Sequence, residues 1–451
     1  MDWSRDRAED AVEDLARYVE ERLLAARSTL PLLGRLSSLR KDRALAAMGD
    51  AIWRARDEIL AANGQDMALA RQAGMDAARL DRLRLDAGRI QAMVAGLEEV
   101  AAIEDPIGEQ IESIQRPNGL RIAKVRVPLG VVAMIYESRP NVTVDAGAIA
   151  FKAGSAVVLR GSREALHSNR ALVTAMHQGL GAAGVPSEAI QLLDRGGRET
   201  VGHLITARGL VDLVIPRGGA GLIQYVAEHA RVPIIETGVG NCHVYVDREA
   251  DLAKAQAIVL NAKCQRPSVC NAMETLLVHR DVAEAFLPKL GMALAAAGVE
   301  LRACPLALPL LEATAARPGA CARAATEEDW ATEYLAPVLA VRVVGGLEAA
   351  MQHIARYGTR HSESIVTEDR RAARRFLEEV DAAVVYHNAS TRFTDGHEFG
   401  FGVEIGISTQ VLHARGPMGL RELTSYKYMV EGEGQVRDGP RPKPASQAVP
   451  H

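Results

Sequence analysis

The sequence predicts an α/β protein, with parallel sheets covered by helices on both faces behind a helical N-terminal region. Three observations carry this. The first hundred residues place apolar side chains at helical spacing; from residue 130 onward short apolar runs alternate with helical segments; and between the two lies one stretch with the period and turn chemistry of a hairpin.

In chain order, Leu15, Val19, Leu23 and Leu24 recur at helical spacing, as do Leu36, Leu39, Leu45 and Met48. Ile52, Leu60, Leu69 and Leu80 extend the apolar pattern through Leu97, and charged residues fill the other faces. This region reads as packing helices without a functional motif. Ile111, Ile114, Leu120, Ile122, Val125 and Val127 then flank Pro117-Asn118-Gly119, and an Asn-Gly pair between apolar runs is a hairpin signal because the turn needs positive φ. From Leu129 a strand–loop–helix pattern repeats. Strands are expected at 130–136, 156–160, 189–193, 210–216, 232–237 and 243–247, with helices near 143–151 and 164–180 and another ending at His229. Ligands in such sheets bind at the carboxyl ends of the strands. A helix over 251–262 leads into a loop carrying Cys270 and then the strand METLLV, and further α/β pattern runs to Tyr386. Residues 291–326 are rich in Ala, Pro and Leu with weak period and are expected to be helix and loop. The polar, Gly- and Pro-rich tail is expected to be disordered from 438.

Composition narrows the function classes. The 451 residues suggest roughly two or three domains. Lys and Arg total 53 against 57 Asp and Glu, a net charge of −4 that speaks against a nucleic-acid or anionic-membrane binder. Aromatics at 4% are too few for a base-stacking platform. No run approaches the ~18 apolar residues of a membrane span. Five cysteines, an odd and low count, suit a reducing cytoplasm better than a disulfide framework.

Few residues stand out as chemistry. Cys270 sits in KCQRPSVCNAMETLLV, with Lys263 and Arg266 upstream, and nearby positive charge favours the reactive thiolate. On local sequence alone it is a nucleophile or an inert buried thiol. Cys242, Cys304 and Cys321 read as buried. Cys264, six residues before Cys270, makes no metal spacing with it, and neither CxxC nor HExxH occurs, so no metal site is expected. In VIPRGGAGLI, Arg217 precedes Gly218, Gly219 and Gly221 between a strand and a helix; this is a phosphate cradle or a tight turn. Glu236, in IETGVGN, is a general base or a solvated loop acid. Arg374 with Glu378 and Arg375 with Glu379 read as a solvated helix face, and histidines 353, 361, 387, 397 and 413 form no ligand spacing.

Several longer segments go further: VPLGVVAMIYESRPNVTVDAGAIAFKAGSAVVLRGS, LVIPRGGAGLI, NAKCQRPSVCNAMETLLVH, EYLAP, VVYHNASTRFTDG and ISTQVLHARGPMGLRELTSYKY. They resemble the aldehyde dehydrogenase superfamily and, within it, the gamma-glutamyl phosphate reductases of proline biosynthesis. The resemblance runs from about residue 20 to about residue 437. It implies an aldehyde dehydrogenase-like fold with a Rossmann-type cofactor domain (21–110 and 131–238), an α/β catalytic domain (239–405) and a small β oligomerisation flap (111–130 and 406–437), between an N-terminal extension (1–20) and a tail (438–451).

It also implies roles. Cys270 falls at the nucleophile, Asn141 at the oxyanion-hole amide and Glu236 at the hydrolytic base of oxidising relatives. Gly218 and Gly219 fall at the cofactor loop, and Glu333, in EYLAP, at the nicotinamide ribose. Arg160, Ser162 and Arg163 follow the strand that meets the adenosine ribose, and a basic cluster there suits the 2′-phosphate of NADP(H). Arg139, Arg266, Arg392 and Arg415 are candidates for the substrate's phosphate and carboxylate. The implied reaction is reduction of L-glutamyl 5-phosphate to L-glutamate 5-semialdehyde and phosphate through a Cys270 thioester, by a cytoplasmic homo-oligomer. A separate glutamate 5-kinase is a possible transient partner. The alternative enzyme reading is a semialdehyde dehydrogenase that oxidises its substrate to an acid with Glu236 as base. A catalytically dead scaffold on the same fold is the alternative from another class.

Overall fold

The computed structural model describes residues 3–312 and 322–437. Cys321 and the tail from 438 therefore lie outside the described residues. Six helices open the chain, from Trp3–Ser28 to Ala87–Ala102. Their apolar faces pack on one another and on a parallel four-stranded sheet ordered Ile190–Leu192, Ala156–Gly161, Val131–Tyr136, Leu213–Arg217. The helices also bury charge that hydropathy does not reveal. Lys41 is fully buried on Asp105 at 2.7 Å, and Lys152 reaches Asp42 while donating to the Ala101 carbonyl at 2.8 Å. Pairing is what makes such burial tolerable.

The strand order reverses beside Val131–Tyr136. The chain moves outward to Ile190–Leu192, then returns to the other side of the first strand with Leu213–Arg217. Tyr136 is in register with both Gly161 and Arg217, so three loops leave one carboxyl edge together. A crevice at such a switch point is where open α/β sheets bind ligands. The run 232–237 does not become a strand. It touches the sheet through a single parallel bridge, Val214 to Ile234, and its end, Thr237, bridges antiparallel to Ser408 of the short strand pair Ile407–Ser408 and Gly416–Pro417. Pro233 lacks the donor a longer ladder would need.

A second parallel sheet has seven strands, ordered Ala322–Ala324, Glu300–Ala303, Val338–Val344, Met273–His279, Cys242–Val246, Ser362–Val366, Val384–His387. Two of these strands lie in the weakly periodic 291–326 stretch, whose short strands at one end of the sheet leave little alternation to read. The hairpin forms as expected. Gln110–Gln115 pairs antiparallel with Arg121–Pro128, Gly119 takes φ of +90°, and Thr424–Glu431 adds a third strand. Among the described residues no helix is long and apolar enough to cross a membrane.

Gly130 enters the first sheet at φ +126°, where an added Cβ would lie 2.1 Å from Asp212 Oδ2. That carboxylate accepts the Val131 N–H at 2.8 Å and Arg27 at 2.9 Å. Gly130→Ala should strain the backbone and push this acceptor away, costing about 2 kcal/mol or more. A thermal unfolding midpoint lowered by several degrees is the expected measurement.

Candidate active site

Cys270 stands just before the strand Met273–His279, and close packing fixes its backbone. An added Cβ at Gly240 would lie 1.5 Å from the Cys270 carbonyl oxygen, so only glycine fits there. The Cys242 thiol donates to the same oxygen at 3.2 Å. Glu333 Oε1 accepts the Gly240 N–H at 2.7 Å, joining the EYLAP segment to this turn. A buried pair supports that segment from behind. Lys263 binds Glu274, whose other oxygen accepts the Leu335 N–H at 3.2 Å, and burial pushes the Glu274 carboxyl up to about 7. Lys263 therefore serves Glu274 rather than the Cys270 thiol, contrary to the expectation from local sequence.

Cys270 lines a cavity of about 760 Å³ between the carboxyl edge of the first sheet and the amino end of the second. Arg139, Arg266, Arg392, Glu333, Gly218, Gly219, Ser162 and Arg163 line it as well. Burial pushes the Cys270 thiol up to about 12, helped by Glu333 and Glu404 and opposed by Arg217 and Arg139. The resting group is thus a protonated thiol.

The arginines differ in their ties. Arg392 is oriented by neutral partners: its Nε donates to Gln265 at 2.8 Å, and it also donates to Asn271, whose amide in turn binds the Thr394 carbonyl at 2.8 Å. Arg217 donates to the Ile405 carbonyl at 2.6 Å. The guanidinium groups of Arg82, Arg139 and Arg266 have no hydrogen-bond or ion-pair partner among the described residues. Burial together with the neighbouring arginines pulls Arg139 down to about 10.

Three expected residues fall elsewhere. Asn141 begins the helix Asn141–Lys152, and its amide donates one turn on to Asp145 at 2.9 Å, so it does not line the cavity. Arg139, two residues earlier, lines the cavity with Cys270. Glu236 is half-buried, its backbone N–H donates to Gln410 at 3.1 Å, and the residues after it, Thr237 to Val239, line the cavity instead. Arg415 is paired with Asp381 at 2.6 Å, which Arg360 shares at 3.4 Å, away from the cavity.

A neighbouring cavity of about 750 Å³ lies along the same carboxyl edge. Arg160, Ser162 and Arg163 line it with Arg198, Glu199 and Tyr225. Arg160 spends its terminal nitrogens on the Gly161, Gly196 and Gly197 carbonyls at 2.6, 3.2 and 3.2 Å, while its Nε is buried without a partner among the described residues. Where the two cavities meet, the Gly219 N–H at the start of the helix Ala220–His229 donates to Glu137 Oε2 at 2.8 Å. Glu137, Arg79, Arg82, Arg198 and Glu404 carried no local sequence signal. The N-terminal helices, read as packing alone, contribute Arg79 and Arg82.

A model of the aldehyde dehydrogenase family matches residues 12–302. The chain belongs to the aldehyde dehydrogenase family. It is 55% identical over 424 residues to the gamma-glutamyl phosphate reductase of Moorella thermoacetica, covering 94% of this chain and all of that relative. It is 58% identical over 402 residues to that of Symbiobacterium thermophilum, covering 88% and 94%. The crystal structure of the gamma-glutamyl phosphate reductase of Thermotoga maritima superposes with a TM-score of 0.89 at 46% identity, covering 93% of this chain and all of that one. The two parallel sheets described above are those of the aldehyde dehydrogenase fold.

Two expectations follow for this aldehyde dehydrogenase site. Gly240→Ala should displace the Cys270 turn and lower turnover about a hundredfold or more, since misplacement by an ångström costs that much. Alkylation of Cys270 by iodoacetamide, followed by peptide mass spectrometry, should rise with pH without a plateau up to about pH 10. Arg139→Ala should slow it severalfold at a fixed pH, because the arginine lowers the thiol's pKa.

Proposed function

We propose that this chain reduces L-glutamyl 5-phosphate to L-glutamate 5-semialdehyde and phosphate, using NADP(H) and a Cys270 thioester. One observation carries the reading: three guanidinium groups without protein partners, Arg82, Arg139 and Arg266, line the cavity that holds the thiol. Unpaired cations gathered on one cavity, Arg82 and Arg139 half-buried and Arg266 at its exposed rim, call for an anionic ligand. An acyl phosphate with a carboxylate at its far end supplies two anionic groups.

The residues at the carboxyl edge fit a phosphorylated dinucleotide. Arg163, Arg198 and Ser162 offer cationic and hydroxyl groups for a 2′-phosphate, and Arg160 Nε is a buried donor without a partner among the described residues. Gly218 and Gly219 give close backbone approach at a helix start, since a Cβ at Gly218 would lie 2.6 Å from Glu137 Oε2. Glu333 would hold the nicotinamide ribose. When bound, the cofactor supplies the hydride that takes the thioester to the aldehyde level.

The chain's own residues do the rest. The cavity arginines orient the acyl phosphate with its acyl carbon at Cys270. The sulfur attacks that carbon, a C–S bond forms, and the C–O bond to phosphate breaks. Arg139 stabilises the charge that develops at the acyl oxygen, the role the resemblance gives to an amide. No activated water is needed, so Glu236 takes no step. Residues 21–110 and 131–238 serve the cofactor and 239–405 the chemistry. The sheet of 111–130 and 406–437 serves self-association, and its exposed Ile111, Ile114, Tyr426, Tyr428, Met429 and Val430 suit a partner copy. The lability of an acyl phosphate favours delivery by a transiently associated, separate glutamate 5-kinase in the cytoplasm.

The reverse reaction tests this, with L-glutamate 5-semialdehyde and NADP⁺ and with or without inorganic phosphate. Turnover should require phosphate and fall by about 10⁴-fold or more in Cys270→Ala. Arg266→Ala should raise the KM for phosphate or semialdehyde about tenfold or more, the scale of a lost charged hydrogen bond, whereas Arg139→Ala should lower kcat about a hundredfold or more, the scale of a lost oxyanion donor. Arg415→Ala should change neither. Turnover without phosphate would replace this reading with the oxidative one.

A further inference from the structure

We propose that Glu404 is a catalytic residue of this site, the group that takes the proton from the Cys270 thiol and hands it to the departing phosphate. The inference rests on the acyl-phosphate reading above. Its basis is placement. Glu404 lines the Cys270 cavity, and its Oε2 is buried with no hydrogen-bond partner among the described residues. A buried, unspent carboxylate oxygen in the cavity that holds the thiol needs an explanation.

The local fold holds this carboxylate in position. Arg217, at the end of the strand Leu213–Arg217, donates to the carbonyl of Ile405, the next residue, at 2.6 Å. On the other side, an added Cβ at Gly396 would lie 3.0 Å from Glu404 Cβ and 3.4 Å from its Oε2, so the turn after Asp395 packs directly on the side chain. The charged and titratable groups facing it are Arg217, Asp395, His397 and the Cys270 thiol. Burial pushes the carboxyl up to about 7, with Asp395 adding to the rise and Arg217, the Gly396 N–H and His397 opposing it. A group poised there both accepts and releases a proton near neutral pH.

The proton balance closes. The S–H bond breaks and its proton passes to the Glu404 carboxylate as the C–S bond forms. The C–O bond to phosphate breaks with its electron pair on the phosphate oxygen, which takes that proton from Glu404. After hydride arrives from the bound nicotinamide cofactor, the C–S bond breaks with its electron pair on sulfur, and one solvent proton restores the thiol. In sum, one acyl phosphate, one NADPH and one proton give aldehyde, NADP⁺ and phosphate.

The test compares wild type, Glu404→Gln and Glu404→Asp in the phosphate-dependent reverse assay across pH. Glu404→Gln should lower kcat/KM about a hundredfold or more and remove the ionisation near neutrality from its pH profile. Glu404→Asp should restore that ionisation with part of the rate. Independently of turnover, Glu404→Gln should speed alkylation of Cys270 at about pH 8, because a negative charge beside the thiol is gone. Glu404→Gln with a wild-type rate, or with a lowered rate and the neutral ionisation retained, would overturn the proposal. Loss of phosphate dependence in the wild type would instead overturn the reading on which it rests.

Discussion

No side chain can stand at position 240. The backbone there passes so close to the Cys270 carbonyl that a methyl group would overlap it. This contact is where the start of the second sheet is pressed against the Cys270 turn, and the neighbouring bonds depend on it. Cys242 reaches the same carbonyl, Glu333 holds the Gly240 N–H, and the Lys263–Glu274 pair braces the segment that carries Glu333. Cys270 is thus placed by backbone packing, while the electrostatics around it are left to side chains.

Those electrostatics are deliberately opposed. Two carboxyls and burial hold the sulfur protonated, while Arg139 and Arg217 favour its ionised form. Neither set is fully compensated by protein partners. In the reaction we propose, an anionic substrate that engages the arginines and a carboxyl that exchanges its proton shift this balance together, so reactivity develops with substrate in place rather than in the resting protein.

Much of the fold could be read directly. Strands 131–136, 156–161 and 213–217 are built on the apolar runs 131–136, 156–159 and 213–216, as parallel strands covered on both faces are, and Asn118-Gly119 announced its turn. Reading failed where tertiary context decides. Pro233 interrupts an apolar run that otherwise looks like a strand, and Glu300–Ala303 and Ala322–Ala324 are too short for a period to show. In the site, long motifs pointed to Cys270, Glu333 and the glycine loop, and all three were found lining one cavity. Asn141 was not, because its amide closes onto Asp145 one helical turn away. Arg82 and Glu404 were invisible for a different reason: each lies in an ordinary local context, and only the folded chain brings them to the sulfur.

The three-stranded sheet has a temporal side. Its middle strand, Arg121–Pro128, pairs on one edge with the adjacent hairpin strand and on the other with Thr424–Glu431. During synthesis that second edge stays open until some three hundred further residues have been added, about 15–60 s at ribosomal speeds of roughly 5–20 residues per second. An unpaired edge bearing Val125, Val127 and Ile122 is a template for any other extended chain. The strand Thr424–Glu431 is therefore also the nascent protein's seal against mispairing.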